Sequence, residues 1–426
     1  MSNLTTVSPA LPNSPDLLET VKQSCKEVTN SAGIDINQTT LRELIEAYTQ
    51  SPGDSASSTS ALCQPANVRD YALALPLRWD SLGAEVNFIA LIALTSVLSP
   101  LQARLDELPA SPSVPTSASL SRHLLLGLYL SASAANHTAA LSPLSSNHLA
   151  ALGDGEIAEI LGLKIHEEKR VEHIPIATLA ERGGAGSDVV IRLRQTLNYV
   201  GEKLMESQYI DMGTLVMETL TQCKTIAASK GETEAVGHFA HRLVSALPEA
   251  LGDSATLSSL EDREIHFYKN ALFLLLALSL RFSSTNISGS ASPSNLPWVP
   301  PRHIFGLVSD GQLPAILARR GVFTLQADRG SAALRRLLEP PREPSDPNLG
   351  EPVELASVKL TFEEAHVLRA ATIAVGERLR EELRGETAAV IDFDAFVRRI
   401  DDADELGRRI DALRVNEAQI DAAGSW

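Results

Sequence analysis

Two charged residues of this chain lie in apolar stretches of sequence. Lys269 begins a leucine-rich stretch, and Asp310 lies between Val308 and Leu313, just before a second apolar stretch. A charge removed from water destabilises a fold unless another charge or a function accompanies it. A carboxylate fixed at a pocket wall, with a cation nearby, is an arrangement that stabilises charge developing in a reaction. We therefore expect Lys269 and Asp310 to face one cavity.

Each of the two residues also has a purely structural interpretation. A helix is predicted for residues 312–320, and an Asp before a helix start is a favoured N-cap, because its carboxylate accepts hydrogen bonds from free backbone N–H groups. Lys269 can extend its ammonium group to solvent from a helix end. Both interpretations stay open beside the catalytic one.

Other chemically interesting groups favour ordinary structural roles. His238 and His241 lie near Glu234, but no HExxH motif or second ligand cluster accompanies them, so surface or core histidines are favoured over a metal site. Residues 183–186 are glycine-rich but lack the lysine of a phosphate-binding loop, which favours a linker. The cysteines lie far apart without a CxxC pair and are expected to be reduced: Cys25, Cys63 and Cys223.

Composition bounds the class of protein and its partners. The chain has 426 residues, of which 44% are hydrophobic and only 4% aromatic, with abundant Leu and Ala, which favours helices over strands. The net charge of -16 argues against direct binding of duplex nucleic acid, although a single nucleotide needs only a local positive site. Residues 1–16 do not resemble a signal peptide, and the longest apolar run, 271–280, is too short to cross a bilayer. We expect a soluble, cytoplasmic protein without a membrane partner.

Apolar residues recur at three- and four-residue spacing along most of the chain, which is typical of amphipathic helices. The main helices are predicted at residues 17–31, 40–49, 120–136, 145–161, 176–181, 188–206, 214–228, 233–250, 312–320, 362–384 and 393–413. No repeat period and no strand–helix alternation is present. The pattern predicts a mainly α protein: a disordered tail at 1–14, then a single helical domain over 15–426. Its loop insertions are predicted near residues 51–60, 109–119, 283–297 and 339–351.

Two of the stretches described above resemble motifs of the queuosine salvage family, the queuosine 5'-phosphate N-glycosylase/hydrolases. Residues 267–272 are similar to the family's Phe-Tyr-Lys-(Arg/Lys)-Ala-Gln motif. Residues 304–314 are similar to its Leu-Thr-x-Phe-Ala-Asp-Tyr-x-(Val/Leu)-Pro motif, with Asp310 and Pro314 in register. Three weaker likenesses keep the family order: residues 86–91 with Asn-Phe-x-Phe-Trp, 251–253 with Phe-Arg-Asp, and 363–370 with an acidic pair followed by Leu/Ile-Arg-Ala. The resemblance covers roughly residues 65 to 385.

The resemblance implies a helical fold related to the DNA glycosylases and hydrolysis of an N-glycosidic bond. The family releases queuine from queuosine 5'-monophosphate without a metal, so no cofactor is expected and the partner is a small nucleotide. By this resemblance Asp310 would stabilise the oxocarbenium character of the ribose or activate water. Lys269 would balance a phosphate or position the carboxylate. The implied substrate-binding residues are Asn87, Phe88, Phe267 and Asp253, although a plain turn residue is the favoured interpretation of Asp253.

A different class of function stays open beside this one. Asn270 and Leu272 stand where the family has a basic residue and Gln, and residues 89–91 lack the aromatic pair. A helical protein that keeps the scaffold but binds a ligand or protein without catalysis is therefore the alternative. An adaptor built from helical repeats is less favoured because no repeat period is found.

Overall fold

The structure is a computed structural model, and the fold is described from the residues whose placement it defines. These are residues 9–49, 65–71, 73–75, 77, 79–95, 117–133, 142–170, 178–283, 296–307, 309–310, 312–326, 329–338, 359–383, 390–404 and 414–415.

Helices dominate the described residues, as the sequence predicts. The first eight are α1 Leu17–Ser31, α2 Gln38–Thr49, α3 Leu82–Thr95, α4 Ser117–Ser133, α5 Ser146–Ala151, α6 Asp154–Leu161, α7 Gly184–Glu206 and α8 Met212–Lys230. The next seven are α9 Glu232–Ala246, α10 Pro248–Leu251, α11 Lys269–Phe282, α12 Leu313–Arg319, α13 Ala332–Leu338, α14 Phe362–Glu382 and α15 Val390–Asp404. The predicted mainly α fold is confirmed.

Among the described residues, short strands form four separate pairs. They are β1 Ile34–Ile36, β2 His166–Arg170, β3 Thr178–Arg182, β4 Ser254–Leu257, β5 Arg263–His266, β6 Phe323–Leu325, β7 Lys359–Leu360 and β8 Arg414–Val415. The pairs β1–β6, β2–β3 and β4–β5 are antiparallel, and β7–β8 is parallel. One pair concerns the site: β4–β5 places Ser254 opposite His266, which brings Asp253 close to the start of α11.

Two nearly all-apolar helices occupy the middle of the fold. Every residue of α3 from Val86 to Thr95 is buried, and α11 is buried over Leu274–Leu280. A helix that is apolar all round must be covered on all sides. Accordingly α3 packs against α8 and α11, while α1 packs along α14 and α8 packs along α9. The buried apolar side chains form one connected core.

Local sequence explains several helix ends. Thr361 and Glu364 form a capping box at the start of α14, and Asp211 caps α8 through the backbone N–H of Thr214. Gly162 and Gly321 end α6 and the α12 segment with positive φ angles of 65° and 72°, a backbone conformation that glycine adopts without strain.

The helix predicted over residues 176–181 is wrong over its described part, 178–181, because those residues belong to strand β3. β3 pairs with β2, with Glu168 opposite Ala180 and Lys169 opposite Leu179. A six-residue helix is too short to be stable alone, whereas the ladder to β2 satisfies its backbone groups. The single helix predicted over 145–161 is also divided, into α5 and α6, where Leu152 and Gly153 are extended.

The predicted tail and insertions fall partly outside the described residues. Of the predicted tail, 1–14, the structure describes only residues 9–14, and a short 3-10 helix, Ser14–Asp16, begins at its end. Helix α4 begins at Ser117, within the insertion predicted at 109–119. The predicted insertions at 51–60 and 339–351, and most of that at 283–297, lie outside the described residues.

Candidate functional site

A cavity of about 350 Å³ lies between α1, α9, α11, α14 and the segment before α12. Its apolar wall is formed mainly by Leu18, Val21, Val236, Phe267, Leu272, Phe305, Leu307 and Ile373. Its polar lining residues include Lys22, Glu232, Lys269, His303, Ser309, Glu377 and Arg380. An apolar pocket with a few convergent polar groups is the usual form of a small-molecule site.

Most charges around this cavity are already paired. Glu377 forms ion pairs with Lys22 at 3.3 Å and with Arg380 at 3.4 Å. Glu232 accepts a hydrogen bond from the indole N–H of Trp298 at 2.8 Å. Of the lysine and arginine side chains that line the cavity, Lys269 is the one without such a pair among the described residues.

Lys269 is the first residue of α11, and the contacts of neighbouring residues hold it in position. Tyr268 before it has a φ of 51°, unusual for a residue with a side chain, and its hydroxyl lies 3.0 Å from Nδ1 of His266. The backbone N–H of Lys269 donates to Oδ2 of Asp253 at 3.3 Å. The residue is 8% exposed, and its ammonium forms no ion pair within the part of the chain that the structure describes. Burial lowers the pKa of this ammonium, while Asp310 acts in the opposite direction.

Ser309 is the second polar residue of the cavity that lacks a partner. The residue is 2% exposed, and its Oγ has no hydrogen-bond partner among the described residues. A buried hydroxyl without a partner is costly. Lys269 and Ser309 therefore give one cavity a cation and a hydroxyl, both available to an anionic or polar ligand.

Asp310 lies next to Ser309 at the entrance to α12. Its Oδ1 accepts hydrogen bonds from the backbone N–H groups of Gln312 at 2.9 Å and Leu313 at 2.8 Å. Its Oδ2 lies 3.1 Å from Nη1 of Arg398. Burial opposes ionisation, but the Arg398 guanidinium, and after it the Lys269 ammonium, hold the pKa of the Asp310 carboxyl at about 2.

The charges of Lys269 and Asp310 act on each other, since each shifts the pKa of the other in favour of the charged form. Contrary to the expectation from the sequence, however, the structure does not place both residues on the lining of one cavity. Lys269 lines the cavity. Asp310 is not among its lining residues, whereas the preceding residue, Ser309, is. Asp310 also caps α12 through its side chain, although the helix begins at Leu313 and its N-cap is Gln312, since Oδ1 accepts the backbone N–H groups of these two residues.

Asp253 supports the site from within the protein. It is 2% exposed and forms a buried ion pair with Arg369, whose guanidinium carbon lies 4.0 Å from the centroid of the Phe267 ring. Burial disfavours its charge, but Arg369, with smaller contributions from His366 and Lys269, outweighs burial and lowers the pKa of Asp253. Phe267 lines the cavity, whereas Asp253 holds the backbone N–H of Lys269.

Asn87 and Phe88 lie on α3, and neither lines the cavity. The Asn87 amide donates to the carbonyl of Leu144 at 3.1 Å and accepts from the N–H of Gly213 at 3.2 Å. Phe88 packs against Trp79, with ring centroids 5.0 Å apart. These contacts join α3 to its neighbours, so the structure does not bring Asn87 and Phe88 to Lys269.

Arg398, Asp394 and Ser309 are site residues that the sequence did not single out. The side chain of Asp394 is fully buried, although it lies on α15, a helix that contains many charged residues. The sequence does indicate that these two residues can pair, because Asp394 and Arg398 are four residues apart and flank the apolar Phe396 and Val397.

A metal centre is not indicated within the described residues, where no cluster of three His, Cys, Asp or Glu side chains is arranged to hold an ion. His238 lies 3.1 Å from the amide oxygen of Gln222. Within the same part of the chain, no helix combines the length and the apolar character that a bilayer crossing requires.

Comparison with protein-family profiles and with curated proteins gives no match to this chain.

Proposed function

We propose that this protein is a hydrolase that cleaves the N-glycosidic bond of a modified nucleotide, with queuosine 5'-monophosphate as the substrate that the family resemblance implies. The observation that carries the proposal is a buried lysine, Lys269, which lines a cavity of about 350 Å³ without an ion pair among the described residues. Asp310 lies close enough to influence its pKa. The cavity volume falls at the low end of the range of about 300–1,000 Å³ that small-molecule sites occupy.

The two ends of a nucleotide match the two sides of this cavity. A phosphate requires cationic and hydroxyl donors, which Lys269 and Ser309 supply. A base requires an apolar surface, which Phe267 and Leu272 provide. Pairing the phosphate with Lys269 would compensate a charge that burial otherwise disfavours.

The charge state of Asp310 limits its chemical role. A carboxyl with a pKa of about 2 is ionised at neutral pH, so it does not donate a proton to the departing base. An ionised carboxylate instead stabilises positive charge on the ribose ring as the glycosidic bond breaks. We therefore assign Asp310 electrostatic stabilisation of the oxocarbenium-like transition state, with water as the nucleophile.

One observation favours a second candidate, a protein that binds the nucleotide without cleaving it. Both oxygens of Asp310 already have partners, Oδ1 in two backbone hydrogen bonds and Oδ2 in the ion pair with Arg398. A carboxylate used in this way has less charge to offer a substrate. This candidate is the non-catalytic alternative raised by the sequence.

The deciding experiment measures base release from queuosine 5'-monophosphate by chromatography, together with binding by calorimetry. Asp310→Asn should abolish release and retain binding, because the amide keeps the size of the side chain but not its charge. Asp211→Asn is the matched control, since Asp211 also caps a helix through its side chain but, unlike Asp310, does not adjoin a residue of the cavity lining. Loss of a cap costs about 1 kcal/mol, and in Asp310→Asn the Arg398 guanidinium keeps Asp394 as its ion-pair partner, so both variants should remain folded.

Each result selects one interpretation. Release by the wild type and not by Asp310→Asn supports the hydrolase. Binding without release by the wild type supports the second candidate. Full activity of Asp310→Asn would show that this carboxylate only caps α12, and absence of binding would refute both candidates.

A further inference from the structure

The Asp310 carboxylate is held from two different directions. Oδ1 is fixed by the backbone of its own segment, through the N–H groups of Gln312 and Leu313. Oδ2 is held by Arg398, which comes from α15, far along the chain. The local segment therefore fixes one oxygen, and the position of the other depends on how the C-terminal helix packs.

Arg398 is itself held in place by a second carboxylate. Its Nε donates to Oδ1 of Asp394 at 3.0 Å, and Oδ2 of Asp394 accepts the hydroxyl of Tyr71 at 2.7 Å. The Asp394 side chain is fully buried, and the Arg398 side chain is 16% exposed. Tyr71, Asp394, Arg398 and Asp310 thus form one continuous chain of contacts.

The geometry of this chain suits arginine. Its planar guanidinium contacts Asp394 through Nε and Asp310 through Nη1 at the same time. A lysine ammonium is a point charge on a flexible stem and does not fix the directions of two carboxylates at once. The side chain therefore sets a direction for Oδ2 as well as neutralising charge.

The charges facing Asp310 explain why a second cation is needed. Burial raises the pKa of Asp394, and the like charge of Asp310 adds to that rise. Burial also disfavours the charge of Asp310. Arg398 lies between the two carboxylates, and Lys269 faces Asp310 from α11. Tyr71 adds a neutral hydroxyl, because burial raises its pKa well above the usual value. Without Arg398, the fully buried Asp394 and the partly buried Asp310 would be left with Lys269 as the main counter-charge to Asp310.

We propose that Arg398 is a positioning residue of the site, which orients Oδ2 of Asp310 and supplies its counter-charge, so that the site is complete only when α15 is packed in place. The proposal rests on the proposed function for its effect on catalysis. Its effect on Asp310 itself is independent of any substrate. Arg398 acts through Asp310 and is assigned no contact with the nucleotide.

The direct test follows the Asp310 carboxyl carbon by NMR during an acid titration of the full chain, with the signal assigned by its loss in Asp310→Asn. In Arg398→Gln, the titration midpoint should move up by at least about one pH unit, a tenfold change in the acid constant. Arg399→Gln is the matched control, because the neighbouring Arg399 pairs with Asp70 instead, at 2.8 Å from Nε to Oδ1. The control should leave the midpoint where the wild type has it.

The kinetic test measures base release from queuosine 5'-monophosphate against pH. In Arg398→Gln the acid limb should move to higher pH, and kcat should fall at least tenfold with little change in KM. Arg398→Lys should keep the charge of Asp310 but lose the orientation, giving a wild-type midpoint with a lowered kcat. If the Gln variant does not fold, the Lys variant alone decides, and wild-type kcat there would overturn the orienting role.

The outcomes separate this proposal from the proposed function. A shifted midpoint in Arg398→Gln supports the role of Arg398 even if the wild type releases no base, a result that counts only against the hydrolase. An unshifted midpoint overturns the proposal, whatever the activity. A lowered melting temperature with an unmoved midpoint and acid limb would mean that Arg398 only stabilises the packing of α15.

Discussion

Asp253 and Arg369 form a buried, bidentate ion pair next to the candidate site. Nη1 lies 3.0 Å from Oδ1 and Nη2 lies 2.6 Å from Oδ2, and the side chains are only 3% and 1% exposed. The same carboxylate accepts the backbone N–H of Lys269, and the same guanidinium covers the ring of Phe267. The pair therefore connects α14 to two residues that line the cavity.

Asp253→Asn should be among the most destabilising single changes in this region. It leaves the Arg369 guanidinium buried without a counter-charge, a loss of about 3–5 kcal/mol for a buried pair. The measurement is the free energy of unfolding from urea titration at neutral pH. Glu206→Gln, which breaks the exposed pair with Lys203, serves as the control and should cause no resolvable change. A loss below about 1 kcal/mol in Asp253→Asn would show that the pair is not a main support of the fold.

The protein should lose stability as the pH falls below neutrality, and His366 should contribute to that loss. Burial, and then Arg369, lower the pKa of His366 to about 4, and its Nδ1 lies 2.8 Å from the carbonyl of Phe362. An unfolded histidine has a pKa of about 6.5, so the unfolded state binds more protons between these values. The stabilisation is present above about pH 6.5 and is lost towards pH 4, by roughly 3 kcal/mol in total.

His366→Gln tests this directly. The wild type and the variant are compared by urea unfolding between about pH 4.5 and 7.5, a range that spans most of the expected titration. The variant should show the shallower dependence on pH. His238 and His266, whose pKa values are also lowered, contribute equally to both proteins. Parallel curves for the two proteins would mean that His366 does not titrate differently on folding.

The sequence identifies Lys269 and Asp310 but not the residues that hold them in place. Lys269 and Asp310 can be recognised because a charge in an apolar stretch is visible locally. Asp253 looks like a turn residue, and its partner Arg369 is 116 positions away, a pairing that no local pattern contains. Arg398 is hidden in the same way, because charges four apart on a helix usually lie in solvent.

The helical class can be predicted because composition and the spacing of apolar residues are properties of the local sequence. The predictions fail where contacts between distant residues determine the structure. Strand β3 has no strand-like alternation of its own and forms because β2 lies beside it. Asn87, expected at the site, instead hydrogen-bonds to the backbone of Leu144 and Gly213. A buried amide on an apolar helix is equally compatible with both uses, and only the fold distinguishes them.

Lys269→Met should stabilise the protein without ligand while abolishing nucleotide binding. Methionine removes a buried charge that forms no ion pair among the described residues and replaces it with an apolar side chain of similar length. We expect a gain on the order of 1 kcal/mol in the free energy of unfolding. Binding of queuosine 5'-monophosphate should fall below detection by calorimetry. Lys230→Met, at an exposed pair with Glu234, controls for loss of a positive charge.

The opposite result for Lys269 would be equally informative. Destabilisation by Lys269→Met, with binding retained, would show that the ammonium serves Asp310 as a structural counter-charge. In that case the cavity would bind its ligand through other lining groups, such as Arg380 or His303.

Filling the cavity should abolish binding without unfolding the protein. Gly306 lines the cavity, and a Cβ added there would lie 3.6 Å from Nη2 of Arg380, an ordinary contact distance. Its φ is not positive, so Gly306→Leu introduces a side chain without backbone strain and directs it into the cavity. We expect calorimetric binding of queuosine 5'-monophosphate to disappear while the melting temperature changes little. Gly155→Leu, on α6 with open space around the new Cβ, is the matched control and should bind normally. Undiminished binding by Gly306→Leu would place the ligand outside this cavity and would remove the main support for the proposed function.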